Sequence, residues 1–289
     1  MMSIKIKILL ITLVIVLLMV AIYLYAMIIG TSGFYVKEYL VKNDRLPEEY
    51  DGFKIAHLSD IHYGNRSTKK SDIEKIVKDV NKLKPDMIVI TGDLVDDKIT
   101  NKQYEELVDA LRKLEATSGK YIIDGNHDYG YKKWSQLVED AYFTNLNDSY
   151  LTIFKDSSNS IFLAGVSNNT YSKKKITEKT ETLYNYLNSE EYKSSFSILL
   201  LHEPDYIEKI DYSKFHLVLA GHSHNGQVRL PFIGPLILPN GCKKYYDEYY
   251  KLKNTDLYIS SGIGTSTLPI RLFNRPSYNF YRLVKKATK

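Results

Sequence analysis

The most hydrophobic part of the sequence is residues 8–29, an apolar run interrupted only by Thr12, Tyr23 and Tyr25. As an α-helix this run would extend about 33 Å, which matches a bilayer hydrocarbon core of about 30 Å. Cleaved signal peptides have shorter apolar regions and a cleavage site flanked by small residues, and no convincing site follows this run. The sequence therefore predicts an uncleaved, single-pass transmembrane anchor within residues 1–30.

The sequence around this run gives only partial information on its orientation. Basic residues lie on both sides of it, so the distribution of positive charge does not decide the orientation (Lys5, Lys7, Lys37, Lys42 and Arg45). The very short N-terminal flank favours a cytoplasmic N-terminus and a catalytic domain outside the cell membrane. Residues 31–52 are polar and charged, and we expect a linker there.

From residue 53 onward, short apolar runs alternate with segments of helical period. Strands are predicted at residues 54–59, 87–91, 121–123, 151–154, 161–166, 197–201, 215–220, 228–230 and 257–260. Helices are predicted after capping boxes at residues 71–74 and 100–103, and over residues 177–187. Strands that first alternate with helices and later crowd together predict one α/β domain over residues 53–289, with mixed sheets and helices on the outer faces.

Composition narrows the range of partners. The chain of 289 residues is 44% hydrophobic and 25% charged, which is typical of a folded protein and argues against disorder. The net charge of +5 is modest and no arginine-rich stripe is present, so we expect no nucleic acid partner. Nothing in the sequence indicates a protein partner. The single cysteine, Cys242, excludes an internal disulfide.

Tyrosine is unusually frequent, and residues 245–250 contain four of the 25 tyrosines of the chain. Amphipathic rings beside Lys243 and Lys244 suit a membrane interface or a sugar-bearing substrate. An exposed edge strand explains the same cluster equally well. The sequence leaves these interpretations open.

Acidic residues and histidines are concentrated directly after five predicted strands. These segments are Asp60-Ile61-His62, Gly92-Asp93-Leu94-Val95-Asp96, Gly125-Asn126-His127-Asp128, His202 and Gly221-His222-Ser223-His224. In open α/β sheets, ligands bind where the carboxyl ends of strands converge, so these segments are expected to meet at one site. Two further histidines, His57 and His216, lie within or at the start of strands and are interpreted as structural.

The residue types at these positions indicate a metal centre. Carboxylates and imidazoles without a thiolate favour manganese, zinc or iron over calcium or a sulfur cluster. A single structural zinc needs only four ligands, and this set is larger. A carboxylate shared by two ions, with a water molecule activated between them, would suit in-line displacement at phosphorus.

As an ordered set, the five segments resemble the motifs of the calcineurin-like metallophosphoesterase superfamily, with motif-bearing sequence over residues 53–283. The runs at residues 220–231 and 261–271 are similar to those of its membrane-anchored or exported bacterial branch, typified by the YkuE and YaeI phosphoesterases. The resemblance implies a four-layer α-β-β-α sandwich of two mixed sheets. It also implies hydrolysis of a phosphoester.

Motif by motif, the resemblance implies seven ligands for two divalent metal ions. One ion would be bound by Asp60, His62 and His224, the other by Asn126, His202 and His222, with Asp93 bridging. His127 would face the leaving-group oxygen as general acid or charge stabiliser, and Asp128 would orient its imidazole. Asp96 is expected near the site but not as a ligand.

The sequence departs from the branch pattern at three positions. Ser223 and Asn225 replace a threonine and a glycine, and both changes leave the ligands intact. Asp124 stands where relatives have an apolar or small residue. An added carboxylate so close to the metals could raise their affinity or repel an anionic substrate, and the sequence does not distinguish these effects.

The resulting hypothesis is a membrane-anchored, binuclear-metal phosphoesterase that hydrolyses a phosphomonoester, a phosphodiester or a pyrophosphate. An anchor near the bilayer suggests a lipid-linked or cell-envelope substrate, by analogy with UDP-2,3-diacylglucosamine hydrolases. One alternative is a non-catalytic metal-binding scaffold of the same fold, which would be expected to lack ligands or His127. A second alternative is a metal-dependent nuclease, which would need a basic groove.

Overall fold

Two six-stranded mixed sheets pack face to face at the centre of the fold. The computed structural model describes residues 3–64, 68–96, 98–154, 159–168, 173–189, 192 and 196–286. The strands of the first sheet are, in chain order, β1 (Tyr35–Asn43), β2 (Lys54–Leu58), β3 (Met87–Thr91), β4 (Lys120–Ile123), β5 (Thr144–Asn145) and β14 (Ser277–Lys285). Their spatial order is β1-β14-β2-β3-β4-β5, and β2 to β5 run parallel.

The second sheet has a parallel centre flanked by antiparallel edge strands. Its strands are β6 (Ser149–Ile153), β7 (Ile161–Val166), β8 (Phe196–Leu201), β9 (Leu217–Ala220), β12 (Tyr249–Leu252) and β13 (Thr255–Ile259). Their spatial order is β12-β13-β9-β8-β7-β6. A short hairpin of β10 (Arg229–Leu230) and β11 (Gly234–Pro235) lies outside both sheets.

Helices cover the outer faces of the two sheets. The helices of the folded domain are α2 (Lys70–Lys82), α3 (Asn101–Leu111), α4 (Trp134–Asp140) and α5 (Lys173–Leu187). The first three share an apolar core with the first sheet, and Leu183 and Leu187 of α5 pack on the second sheet. Between the sheets, β3 contributes Val89 and β8 contributes Ile198 to a third core. The predicted α-β-β-α sandwich is therefore confirmed.

The prediction of a linker over residues 31–52 is wrong for most of that segment. Strand β1 forms the edge of the first sheet and pairs in parallel with β14, from Tyr35 opposite Ser277 to Asn43 opposite Lys285. Alternating side chains along β1 are partly buried, and Val41 is fully buried between the sheets. Glu38 and Lys42 occupy the solvent face of this strand, while Lys37 on the inner face pairs with Glu248, and these charged residues give the segment the composition of a linker.

One of the two predicted capping boxes is correct. Thr100 Oγ1 accepts a hydrogen bond from the Gln103 backbone N–H, and Gln103 Oε1 accepts one from the Thr100 N–H (3.2 and 2.9 Å). The box predicted at residues 71–74 is wrong, because α2 begins at Lys70. Its first turn is capped by the Asp72 carboxylate, which accepts a hydrogen bond from the Lys69 N–H (2.8 Å).

The N-terminal apolar run forms helix α1 (Ile4–Leu24), which continues as a π-helical turn over Tyr25–Ile29. Among the described residues, this is the one helix long enough and apolar enough to cross a membrane, and its side chains are exposed along its length. Its C-terminal end contacts the domain, since the Ala26 carbonyl accepts a hydrogen bond from the Arg271 N–H (3.0 Å).

Candidate metal centre

The candidate centre lies where the parallel strands end, as the sequence predicts. Asp60 and His62 follow β2, Asp93 follows β3, and His222 and His224 follow β9. All five have positive φ angles, between 45° and 65°. Such left-handed backbone is uncommon for residues other than glycine, and it concentrates at functional sites, where the surrounding structure stabilises it. The turns therefore direct several side chains into one small volume.

One group of potential ligands consists of Asp60, His62 and His224, all of which are buried. The Nε2 atoms of His62 and His224 are 3.2 Å apart, and His224 Nε2 is 3.5 Å from Asp60 Oδ1. The Asp60 carboxylate is held in place by the His222 N–H, which lies 2.9 and 3.1 Å from its two oxygens. This group matches the first predicted metal site.

A second group consists of Asp93, His202 and His222. Asn126 belongs with it, because its Oδ1 lies 3.2 Å from His202 Nε2. Backbone carbonyls determine which ring nitrogen each histidine presents. His202 Nδ1 is 2.6 Å from the Thr91 carbonyl, and His222 Nε2 is 2.7 Å from that of Asn240. His202 Nε2 and His222 Nδ1 therefore remain for an ion, in the arrangement common for metal-bound histidines.

Asp93 lies between the two groups. Its Oδ2 atom is 3.5 Å from His62 Nε2 and 3.4 Å from His202 Nε2. Ligands at about 2.1 Å from a tetrahedral ion are about 3.4 Å from each other, so these spacings suit donor atoms that share an ion. The described residues thus fit two divalent cations with Asp93 as the shared ligand.

Burial and the attraction between carboxylates and imidazoles determine the pKa values in the centre. Burial alone would lower the pKa of His202, but the Asp93 carboxylate outweighs this effect and raises the pKa to about 10. Burial would likewise raise the pKa of Asp93, and the histidines around it hold this pKa well below the ordinary value. Burial raises the pKa of Asp60. A bound cation favours the deprotonated form of each ligand.

Close backbone approach at the centre requires a glycine in two of the motifs. A Cβ atom at Gly125 would overlap the Asp93 carboxylate, and one at Gly221 would overlap Ser59 Oγ and the Asp60 carboxylate. Any larger residue would displace the ligand beside it. The glycines that precede Asn126 and His222 therefore have a steric role in the site.

His127 lies at the open side of the centre and is partly exposed. Its ring packs edge-on against His62, with 4.7 Å between the ring centroids. The backbone N–H of His127 donates a hydrogen bond to Asp93 Oδ1 (2.9 Å). Its Nδ1 lies 3.0 Å from Asp96 Oδ1. The imidazole also lines the cavity that opens beside the centre.

The expected contact of Asp128 with the His127 imidazole is wrong. The Asp128 carboxylate is fully buried and accepts hydrogen bonds from the backbone N–H groups of Leu94, Val95 and Gly125 (3.2, 3.0 and 2.9 Å). Burial, together with the nearby Asp93 charge, raises its pKa to about 7. Asp128 thus fixes the two loops that carry the ligands, and among the described residues Asp96 is the carboxylate beside the His127 ring.

His57, His216 and Asp124 have hydrogen-bond partners within the fold. His57 lies between Tyr281 Oη and Thr91 Oγ1 (3.1 and 2.7 Å), and His216 Nδ1 accepts from the Ser197 N–H (3.0 Å), so both histidines have partners in the fold. Asp124 Oδ1 accepts from the Asn168 N–H (2.7 Å) and thereby connects the end of β4 to the end of β7.

The tyrosine cluster at residues 245–250 is part of the edge of the second sheet. Tyr249 and Tyr250 lie in edge strand β12. The Tyr250 hydroxyl accepts hydrogen bonds from the Tyr246 and Asp247 N–H groups (3.1 and 3.0 Å), and Tyr245 is buried in the core beneath. Of the interpretations left open by the sequence, the edge strand is the one that accounts for these contacts.

Arg271 is the last residue of the run 261–271, which carries part of the family resemblance. In the structure it lies against the candidate metal centre. Its guanidinium is fully buried and donates to the carbonyls of Ser261, Gly262 and Gly264. The Nη2 atom also lies 3.2 Å from His224 Nδ1. A sequence signal was present, because an arginine between apolar residues at a glycine-rich turn is unusual. Nothing in its spacing indicated which histidine it would reach.

Comparison with known proteins agrees with this geometry. The family model for calcineurin-like phosphoesterases matches residues 53–226, which is more than half of the chain. The chain belongs to the calcineurin-like phosphoesterase family. Within it, the chain is 33% identical to the uncharacterized metallophosphoesterase YkuE of Bacillus subtilis over 264 residues, which cover 90% of this chain and 89% of YkuE.

This calcineurin-like phosphoesterase is also similar to a vertebrate protein in sequence and to a bacterial protein in fold. It is 28% identical over 240 residues to a Danio rerio transmembrane protein with metallophosphoesterase domain, covering 80% of this chain and 53% of that protein. Its fold is similar to the crystal structure of TT1561 of Thermus thermophilus, with a TM-score of 0.51 and 12% identity over 73% of this chain and 89% of that one.

A cavity of about 500 Å³ opens beside the metal centre of this calcineurin-like phosphoesterase. Its floor includes Asp93, His127 and His222, and its upper wall is largely apolar. That wall is formed by Val228, Leu236, Ile237, Pro239, Leu268 and Ile270. A substrate in this cavity would have a charged end at the metal ligands and an apolar end along the wall.

Proposed function

We propose that the chain is a membrane-anchored phosphoesterase that uses two divalent metal ions, with manganese, zinc or iron as candidates. The observation that carries this proposal is the position of Asp93, whose Oδ2 lies 3.5 Å from His62 Nε2 and 3.4 Å from His202 Nε2 and so contacts one histidine of each ligand group. When bound, such a pair of ions supplies a water molecule of lowered pKa and positive charge for the displacement at phosphorus.

The protein residues then have separate tasks. Asp60, His62 and His224 would hold one ion, and Asn126, His202 and His222 would hold the other, with Asp93 available to both. The imidazole of His127 donates a proton to the departing oxygen through Nε2, while Asp96 holds the ring through Nδ1. Asp128 keeps both loops in register through its backbone contacts.

A lipid-linked or cell-envelope phosphoester is the substrate class we propose, comparable to the substrates of UDP-2,3-diacylglucosamine hydrolases. Two features support this class. Helix α1 is able to cross a membrane by its length and composition, and the cavity above the ligands has an apolar wall. We further propose that the catalytic domain lies outside the cell membrane. Protease added to intact cells should then degrade a tag placed at the C-terminus.

The central test is turnover of aryl phosphomonoesters and phosphodiesters by the full chain purified in detergent, with manganese, zinc, iron or a chelator. We expect two metal ions per chain and loss of turnover with the chelator. His127→Ala should lower kcat by about 10²–10⁴-fold while both ions stay bound. Asp93→Ala is the matched variant and should lose metal as well. Unchanged turnover in His127→Ala would remove its assigned role.

A chain that hydrolyses neither substrate class under any of these conditions would contradict the proposed activity. If it still bound metal, the non-catalytic metal-binding scaffold would be the remaining alternative. Since all predicted ligand positions and His127 are present, turnover is the expected result.

A further inference from the structure

Six large apolar side chains are exposed at the cavity and at the neighbouring β10–β11 hairpin. Leu236, Ile237 and Leu268 line the cavity, whereas the other three line a second pocket at the hairpin, whose tip carries Phe232 and Ile233. Together they form what we term the apolar rim (Phe232, Ile233, Leu236, Ile237, Leu268 and Phe273). Ile237 is 79% exposed, and Phe232 is completely exposed. An exposed apolar surface of this kind marks a binding site for a protein or a membrane.

The backbone under this rim connects it directly to the end of helix α1. Arg271 donates its N–H to the Ala26 carbonyl (3.0 Å), and the next residue, Leu272, accepts from the Arg229 N–H (3.0 Å). Leu272 also donates to the Gln227 carbonyl (3.1 Å). The apolar rim is therefore fixed to the helix end through a continuous series of hydrogen bonds, on the same side of the domain.

The two aromatic residues of the rim have unfavourable backbone conformations. Phe232 has a φ of 66° and Phe273 a φ of 52°. A bulky residue in left-handed backbone is a genuine outlier, and glycine or asparagine would be accommodated there more easily. Neither ring gains burial within the chain in return, since both are exposed. Both rings are therefore exposed on turns that a smaller residue would accommodate more easily, as is Tyr142 (φ 60°) elsewhere in the domain, so it is their position beside the cavity and the end of helix α1 that sets them apart.

We propose that the apolar rim is a second membrane contact, which inserts into the interface of the same bilayer that holds helix α1. The inference rests on the proposed membrane anchoring. It commits to lipid because the apolar helix and the rim are joined at one side of the domain, so a bilayer around the helix lies next to the rim. The cavity then opens onto the bilayer surface, with the metal ligands within reach of a phosphoester at headgroup level.

The test uses the full chain reconstituted into phosphatidylcholine vesicles, with and without lipids brominated near the headgroup end of the acyl chains. Phe232→Trp places a fluorophore in the rim, and Phe273→Trp is a second variant at an independent position. Tyr142→Trp is the matched control, because Tyr142 is also an exposed aromatic residue. It lies just before β5, the edge strand of the first sheet that is farthest from β1. The parent, whose only tryptophan is buried Trp134, gives the baseline.

We expect brominated lipid to quench the added fluorescence of the two rim variants at least threefold more strongly than that of Tyr142→Trp. Equal, weak quenching at all three positions in a protein that resists alkaline extraction from the vesicles would overturn the rim contact and leave the anchoring intact. Protein extracted by alkali would overturn both. Cross-linking of position 232 to a second copy, without quenching, would assign the rim to a dimer and overturn the lipid contact.

Discussion

Asp96, three residues after the ligand Asp93, and Asp128, two residues after the ligand Asn126, have different roles in this centre. Asp96 contacts the imidazoles of His127 and His62, at 3.0 and 3.5 Å, whereas Asp128 contacts only backbone N–H groups among the described residues. The family resemblance implied the opposite assignment for Asp128. The direction in which a loop turns, and not sequence distance, decides which carboxylate reaches the ring.

Asp96→Ala should therefore impair catalysis more than folding. We expect kcat to fall about tenfold at saturating metal, since outer partners of this kind are worth about 10–100-fold in activity or metal affinity. The free energy of unfolding, measured with urea, should stay close to that of the parent. A large loss of stability with normal kcat per folded molecule would contradict the assignment.

Asp128→Ala should instead impair folding. Three buried N–H groups lose their acceptor, and an unsatisfied buried donor costs about 1–3 kcal/mol, so we expect the free energy of unfolding to fall by about 3 kcal/mol or more. Urea denaturation of the apo forms of the two alanine variants and the parent measures this difference. A stability equal to that of Asp96→Ala would show that the backbone contacts of Asp128 contribute little.

At the scale of elements, the central strands and the helices could be predicted because their apolar patterns are local. Strand β3 is apolar at nearly every position and is buried on both faces. The ligand-bearing segments could be placed for the same reason, since each follows such a strand. Strands β1 and β14 were missed, because tyrosines, charged residues and asparagine alternate with apolar residues in both, and their pairing joins the two ends of the domain.

The position of β1 predicts where the chain can be shortened. A fragment that starts at Phe34 keeps the whole strand and should be soluble and cooperatively folded. A fragment that starts at Phe53 loses it, which exposes the edge of β14 and removes Val41 and Leu46 from the core. Exposed long edge strands promote aggregation. Expression of both fragments, followed by size-exclusion chromatography and thermal unfolding, tests this prediction, and a monomeric, stable 53–289 fragment would contradict it.

For the molecule as a whole, buried neutral histidines make stability dependent on pH. Burial lowers the pKa of His57 to about 3, against about 6.5 in an unfolded chain. Between these values the unfolded state binds a proton that the folded state does not, so stability is lost as the pH falls through this range. The loss is about 1.4 kcal/mol per pH unit, or about 2 kcal/mol from pH 6.5 to pH 5.

His57→Gln keeps hydrogen-bonding groups near Tyr281 and Thr91 and removes the titrating ring. The difference in unfolding free energy between parent and variant should therefore shrink by about 2 kcal/mol when the pH is lowered from 6.5 to 5. Urea denaturation of both proteins in the presence of chelator, at several pH values, measures this difference. A difference that does not change with pH would mean that His57 is not neutral in the folded state.

The pairing of β1 with β14 also determines when the domain is able to fold. The first of these strands leaves the ribosome soon after helix α1, and its partner is the last strand of the described fold to be synthesised. Until then the nascent chain has an unpaired edge at β1, and β2 lacks its neighbour on the same side. The first sheet is therefore completed only after residues 277–285 have emerged from the ribosome. A ribosome that stalls before residue 277 leaves a chain with unpaired strand edges, suited to capture by chaperones or to degradation.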